Sequence, residues 1–204
     1  EKLLNYNGKK DLTKVKSLKA KADTSQMTLS FLGDVLPGLQ TLRLDYSIFS
    51  CIRDLSTHLP HLKVLSLTHC ELTSIDGIAT ISTKLQELYL GFNTIDDLSP
   101  LLGFNQLKIL DLENNFIFSV EDTALLKCCT ALKNLTLRGT GAAENPEYRQ
   151  MVKQYIPKLQ ILDGVKFGEE EEEKKPEDQQ LPPLQEPPPP PIEPPSEETS
   201  KLPD

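Results

Sequence analysis

Three histidines fall close together, His58, His61 and His69, in the strings Ser-Thr-His-Leu-Pro-His and Thr-His-Cys. Imidazoles at this density are the side chains that would hold zinc, but a metal site needs them to converge on one point. His58 and His61 lie near a turn marked by Pro60, and His69 lies beyond the following strand pattern. The four cysteines, Cys51, Cys70, Cys128 and Cys129, make no Cys-x-x-Cys pair. Adjacent Cys128 and Cys129 are poorly placed to bridge each other. The thiols read as packed small hydrophobes in a reducing compartment. Paired carboxylates, Asp96 with Asp97 and Asp111 with Glu113, could in principle move protons. No nucleophile, base and orienting third group cluster around them, and no glycine-rich phosphate loop occurs. The chain is therefore expected not to be an enzyme, with no catalytic residues, no metal ligands and no cofactor.

The elements that carry these residues are set by leucine. Leu makes up 35 of 204 residues, and 32 of them precede residue 169. The frame L-x-x-L-x-L recurs at Leu39-Leu42-Leu44, Leu62-Leu65-Leu67, Leu85-Leu88-Leu90, Leu107-Leu110-Leu112 and Leu132-Leu135-Leu137, in steps of 23, 23, 22 and 25 residues. A weaker copy begins at Val15, and a partial one at Leu159 and Leu162. Self-similarity with this frame and period resembles the leucine-rich repeat. The expected fold class is α/β: a solenoid with a parallel concave sheet, 3₁₀ or short helical turns on the convex side, and a C-terminal helical cap. Each L-x-L triplet is expected to be a short strand with Leu facing inward and the intervening residue facing out. The turn after it needs a side chain that satisfies buried backbone groups, and Asn supplies both an acceptor and two donors. Asn93 and Asn115 hold that position, with Ser47, Cys70 and Thr140 in the other copies.

The expected organisation is an N-terminal cap and degenerate first repeat over 1–38, repeats over 39–144, a C-terminal cap over 145–168 and a tail over 169–204. Leu3, Leu4, Leu12, Val15 and Leu18 suit a helix followed by a cap strand. Residues 122–129 suit a fuller helix in the 25-residue repeat. Asn145–Arg149 opens a cap helix running to Tyr155, stopped by Pro157. Tyr148, Arg149 and Asp163 belong to the cap. The tail carries eleven Pro and an acidic run at Glu169–Glu173. Such a segment cannot offset its ordering entropy and is expected to be disordered. Pro187–Pro191 suits polyproline II, either as a ligand for a proline-groove domain or as a spacer.

The net charge of -8 divides unevenly. Residues 1–21 hold seven Lys against Glu1 and Asp11, whereas 169–204 hold 3 basic and 12 acidic side chains. The acidic balance argues against nucleic acid as a partner. No run approaches the ~18 apolar residues of a membrane span, so no membrane partner is expected.

On the concave sheet the outward positions include Arg43 and Tyr46, then Val64 and His69, Glu87, Tyr89 and Phe92, Ile109, Asp111 and Glu113, and Arg138. Tyr46, Val64, Tyr89, Phe92 and Ile109 form a candidate apolar stripe beside the acids Asp111 and Glu113. Aromatic anchors ringed by polar groups are what protein hot spots are made of. The alternative is that Tyr46 or Phe92 folds inward at the repeat edge. A partner segment of apolar and basic character is expected here, with the chain itself a monomer.

The run N-P-E-Y-R-x-x-V-x-x-x-I-P-x-L-x-x-L-D-G at Asn145–Gly164 resembles the C-terminal cap of the SDS22-like leucine-rich-repeat class. The stretches Gly8–Thr24, Leu36–Leu44, Leu59–Ile78 and Leu85–Leu101 together resemble the leucine-rich-repeat family that assembles or delivers axonemal outer dynein arms, the outer-dynein-arm-eight type. Ala20 and Ala22, where larger apolar residues are usual, and the shortened stretch Gly139–Glu144 depart from it. The resemblance implies a non-enzymatic adaptor working with dynein-arm or intraflagellar transport components. It implies a location in the cytoplasm and the cilium or flagellum. A nuclear ribonucleoprotein scaffold and a phosphatase regulator of the same repeat class are the alternatives.

Overall fold

The computed structural model describes residues 12–25, 28–49, 51–55 and 58–168. The helix expected around Leu3 and Leu4 and the acidic proline-rich tail lie outside the described residues.

The strands arise from the leucine frames, one residue earlier than the L-x-L triplets suggest. They are β1 (Ser17–Lys19), β2 (Thr41–Arg43), β3 (Val64–Ser66), β4 (Glu87–Tyr89), β5 (Ile109–Asp111), β6 (Asn134–Thr136), β7 (Ile161–Leu162) and β8 (Val165–Lys166). They pair in chain order, and every pairing from β1 to β7 is parallel. The second Leu of each frame sits at the strand centre, so Leu42, Leu65, Leu88, Leu110, Leu135 and Leu162 form one buried register row. The third Leu continues the backbone ladder just past the strand: Leu67 N donates to Tyr89 O at 2.8 Å, and Leu90 N to Asp111 O at 2.8 Å. Burying each such side chain stabilises the fold by about 1.5–3 kcal/mol. Stacking on the neighbouring repeats is what makes that burial complete.

The return segments are short. They comprise 3₁₀ turns at Ile52–Asp54 and Ser99–Leu101 and the one-turn helices α1 (Leu32–Val35) and α2 (Ile78–Ile81). In the 25-residue repeat the expected fuller helix is instead a nine-residue 3₁₀ run, Val120–Cys128. Its inward residues, Val120, Thr123 and Leu126, repeat every third position, which suits three residues per turn.

The C-terminal cap begins with a 3₁₀ turn at Gly141–Glu144, and α3 spans Tyr148–Tyr155. The helix starts later than the Asn-Pro-Glu string suggests. Asn145 forms a turn there, its Oδ1 accepting from Glu147 N at 2.8 Å and its carbonyl from Tyr148 N at 3.0 Å. After β7 the chain reverses at Asp163–Gly164, and β8 pairs antiparallel with β7. This hairpin, unforeseen from the sequence, covers the last parallel edge. Asp163 holds it: Oδ2 accepts from the Tyr148 hydroxyl at 2.9 Å, Oδ1 from Leu137 N at 2.7 Å, and the carbonyl from Arg138 at 2.8 Å. The Arg149 guanidinium donates to Leu162 O at 3.2 Å and lies 4.8 Å from the centre of the Phe167 ring.

Candidate protein-binding face

Each turn that follows a strand is closed by the position held by Ser47, Cys70, Asn93, Asn115 and Thr140. Asn93 does most. Its Oδ1 accepts from Cys70 N and Leu72 N, both at 3.0 Å, and its Nδ2 donates to Leu90 O at 2.7 Å and Leu67 O at 2.9 Å. One carboxamide thus ties its own turn to the preceding repeat. Asn115 repeats the pattern, donating to Leu90 O and Leu112 O and accepting from Ile95 N. Cys70 donates its thiol to Leu44 O at 3.2 Å, and burial pushes that thiol up to about 11.

The residue just before each closing position adopts a left-handed backbone: Tyr46 (φ 59°), His69 (φ 55°), Phe92 (φ 58°), Asn114 (φ 49°) and Gly139 (φ 73°). Four of the five carry side chains despite the cost of that conformation. The turn turns each side chain out along the strand-end edge of the sheet. Because these positions recur with the repeat, their rings meet. Tyr46 and His69 stack with centroids 4.6 Å apart and planes 9° from parallel. His69 and Phe92 stack at 4.3 Å and 14°. The Lys21 ammonium lies over the Tyr46 ring, 5.1 Å from its centroid. The stack ends at Asn114, whose carboxamide occupies the space that a Cβ on Gly139 would need.

The sequence pointed to Tyr46, His69 and Phe92 but grouped them differently. Tyr46 and Phe92 do not fold inward; they are 60% and 42% exposed. Nor do they join Val64, Tyr89 and Ile109 in one apolar stripe. The latter three are half-buried on the sheet floor, in two separate rows: Val64, Glu87 and Ile109 share one register row, and Arg43, Ser66, Tyr89 and Asp111 the other. The ring stack forms its own rail along the strand ends. The equal 23-residue steps from 46 to 69 to 92 were the signal that could have found it.

On the floor, the Arg43 guanidinium reaches past Ser66 to lie 5.8 Å from the centre of the Tyr89 ring. Tyr89 donates its hydroxyl to Glu87 at 3.0 Å. Partial burial, helped by the Glu87 carboxylate, raises the Tyr89 phenol above its usual range. Asp111 Oδ1 accepts from Glu113 N at 3.0 Å. Asp45 accepts from the Ser66 hydroxyl and from Thr68 N. Arg138 is exposed next to the cap, where it bonds Asp163. His58 and His61 are exposed and are separated from the ring stack that holds His69. Among the described residues no group of three or more His, Cys, Asp and Glu side chains could hold a metal ion. The arrangement offers side-chain surface, aromatic edges and opposite charges, the materials of protein recognition.

Comparison with known proteins agrees with this architecture. The family model "Leucine Rich repeats (2 copies)" matches residues 60–103 and 83–122. Leucine-rich repeat-containing protein 56 of Mus musculus is 40% identical over 167 residues, covering 76% of this chain and 30% of the mouse protein. The leucine-rich repeat-containing protein 56 homolog of Trypanosoma brucei brucei is 28% identical over 152 residues, covering 63% of this chain and 20% of that protein. The chain thus spans about a third or less of the length of these curated relatives. Among solved structures, an internalin of Listeria monocytogenes aligns with TM-score 0.51 at 24% identity, covering 63% of this chain and 35% of the other, a likeness of fold alone.

Proposed function

The chain is a leucine-rich-repeat protein, and from that premise we propose that it is a non-enzymatic adaptor whose concave face binds a segment of another protein. Leucine-rich repeats are typically interaction modules, and the observation that carries the reading is the exposed Tyr46–His69–Phe92 stack beside the Arg43, Tyr89 and Asp111 row. Three rings fixed by neighbouring repeats are preorganised, so little ordering entropy is lost when a partner covers them. Long flexible side chains in their place would lose far more.

The setting proposed is the assembly or intraflagellar transport of axonemal outer dynein arms, in the cytoplasm and the cilium or flagellum. Its support is the resemblance of Gly8–Thr24, Leu36–Leu44, Leu59–Ile78 and Leu85–Leu101 to that family, together with the likeness to leucine-rich repeat-containing protein 56 in both a mammal and a trypanosome. The chain acts as a monomer in this reading.

Two measurements test it. A tagged copy should enrich in cilia or flagella, and nuclear accumulation would favour a ribonucleoprotein scaffold instead. Tyr89→Ala combined with Asp111→Lys should abolish pull-down of dynein-arm components; unchanged recovery would remove the concave face from the proposal.

A further inference from the structure

The concave floor is electrically polarised along the repeat axis, and this polarity specifies the partner segment. On β1 and the residues after it stand Lys19 and Lys21, both exposed, followed on β2 by the exposed Arg43. Among the described residues, the acids near this end are Asp45, already engaged by Ser66 and Thr68, and Asp23, whose carboxylate accepts from Ser25 N. On β3 the outward residues Val64, Ser66 and Thr68 carry no charge. β4 and β5 then bring three half-exposed carboxylates, Glu87, Asp111 and Glu113, while the exposed Arg138 beyond β6 is turned to the Asp163 carbonyl of the cap. The lysines that precede the strands, Lys63, Lys108 and Lys133, are exposed on the opposite rim and are spread along the sheet, so they do not set this direction.

The face offers side chains only. The N–H and C=O groups of β2 to β6 are spent on their neighbouring strands on both sides. A partner backbone lying across the middle of the sheet finds no ladder to join there, and must satisfy its own polar groups. An α-helix does so.

We infer that the concave face takes one amphipathic helix lying across the strands, with acidic side chains at the β1–β2 end, an apolar stripe over the adjacent Val64 and Tyr89 rows, and basic side chains at the β4–β5 end. This rests on the reading of the concave sheet as the binding surface and adds the chemistry and direction of the occupant. The outer strands of the two charged ends, β1 and β5, are four spacings of ~4.8 Å, roughly 19 Å, apart. At ~1.5 Å per residue, the acidic and basic clusters of the helix are about 13 residues apart. The charge pattern sets orientation and on-rate more than total affinity.

The test uses the full chain and two synthetic helical peptides of about 18 residues with one composition and one apolar face. In the first, Glu residues occupy the first turn and a half and Lys residues the last; in the second, the same Glu and Lys alternate. The expected result is at least tenfold tighter binding of the polarised peptide at low ionic strength. A nitroxide on its Glu end should broaden the amide signals of β1 and β2, and one on its Lys end those of β4 and β5. Equal affinities, or a Glu-end label that broadens β5, overturns the polarity while leaving the concave face as a binding surface. No binding of either peptide, or broadening confined to the return segments Ile52–Asp54 and Ile78–Ile81, overturns the inference together with that surface assignment.

Discussion

The imidazole of His69 lies flat on the phenyl ring of Phe92, their centres 4.3 Å apart, although the residues are 23 positions apart in sequence and neither is in a strand. Both stand on left-handed turns that the solenoid repeats with the same period. Tyr46 covers the other face of the same imidazole. Removing the middle ring therefore breaks two contacts at once. His69→Ala should destabilise the fold by about 1 kcal/mol, seen as a Tm lower by about 2–4 °C. Phe92→Ala breaks one contact and should cost less; a larger loss than for His69→Ala would show that the rings do not act as a stack.

Asn93→Ala should be far more damaging. It strands the buried N–H groups of Cys70 and Leu72 and deprives Leu67 and Leu90 carbonyls of a donor. Each orphaned buried group costs about 1–3 kcal/mol, so the total loss should reach at least roughly 3 kcal/mol. Urea unfolding checks this through a lower midpoint at unchanged slope.

The four thiols should react in a fixed order. Cys51 is exposed and Cys128 half-buried, whereas Cys70 and Cys129 are buried, with both thiols pushed up to about 11 by that burial. The thiolate is the nucleophile, so at pH 8 a disulfide reagent should label Cys51 first and Cys128 next. Cys70 and Cys129 should react only on unfolding. Mass spectrometry after timed labelling reads the order, and early loss of free Cys70 would contradict it.

The cap should weaken in alkali. Burial raises the Tyr148 phenol far above the ordinary tyrosine range, and the Asp163 carboxylate that accepts its hydrogen bond adds to the effect. The folded state therefore holds this proton more tightly than the unfolded one. The stabilisation is complete below about pH 10, where an unfolded tyrosine titrates, and declines as pH rises beyond it. Tyr148→Phe should lower stability near neutrality by about 1 kcal/mol and make the alkaline decline shallower. Denaturant midpoints of both proteins from pH 7 to 11 measure the difference; parallel curves would refute it.

Much of the fold is written in single residues. Leu42, Leu65, Leu88 and Leu110 announce both the strands and their register, because a buried row must recur with the repeat. Asn93 and Asn115 announce the turns, because few side chains donate and accept within one coil. The ring stack was legible residue by residue but not as an object. Recognising it required knowing that the turn after each strand is left-handed, which residues such as Tyr46 and Phe92 do not advertise. The β7–β8 hairpin was equally hidden, since Val165–Lys166 is two residues long and carries no alternation to read. The floor charges were visible individually, but their order across the strands emerges only once Lys21, Arg43 and Glu113 are placed on one surface.

The composition gives this face an optical use. The chain has no Trp and five Tyr, so its ultraviolet emission comes from tyrosine alone. Tyr46 stacks on His69 and carries the Lys21 ammonium over its ring, and Tyr89 lies under Arg43 with its hydroxyl on a carboxylate. Two of the five natural fluorophores therefore stand where a partner would land. A partner lacking Tyr and Trp that displaces Lys21 or Arg43 should change their intensity, so docking can be followed in the unmodified protein without a dye or a tag.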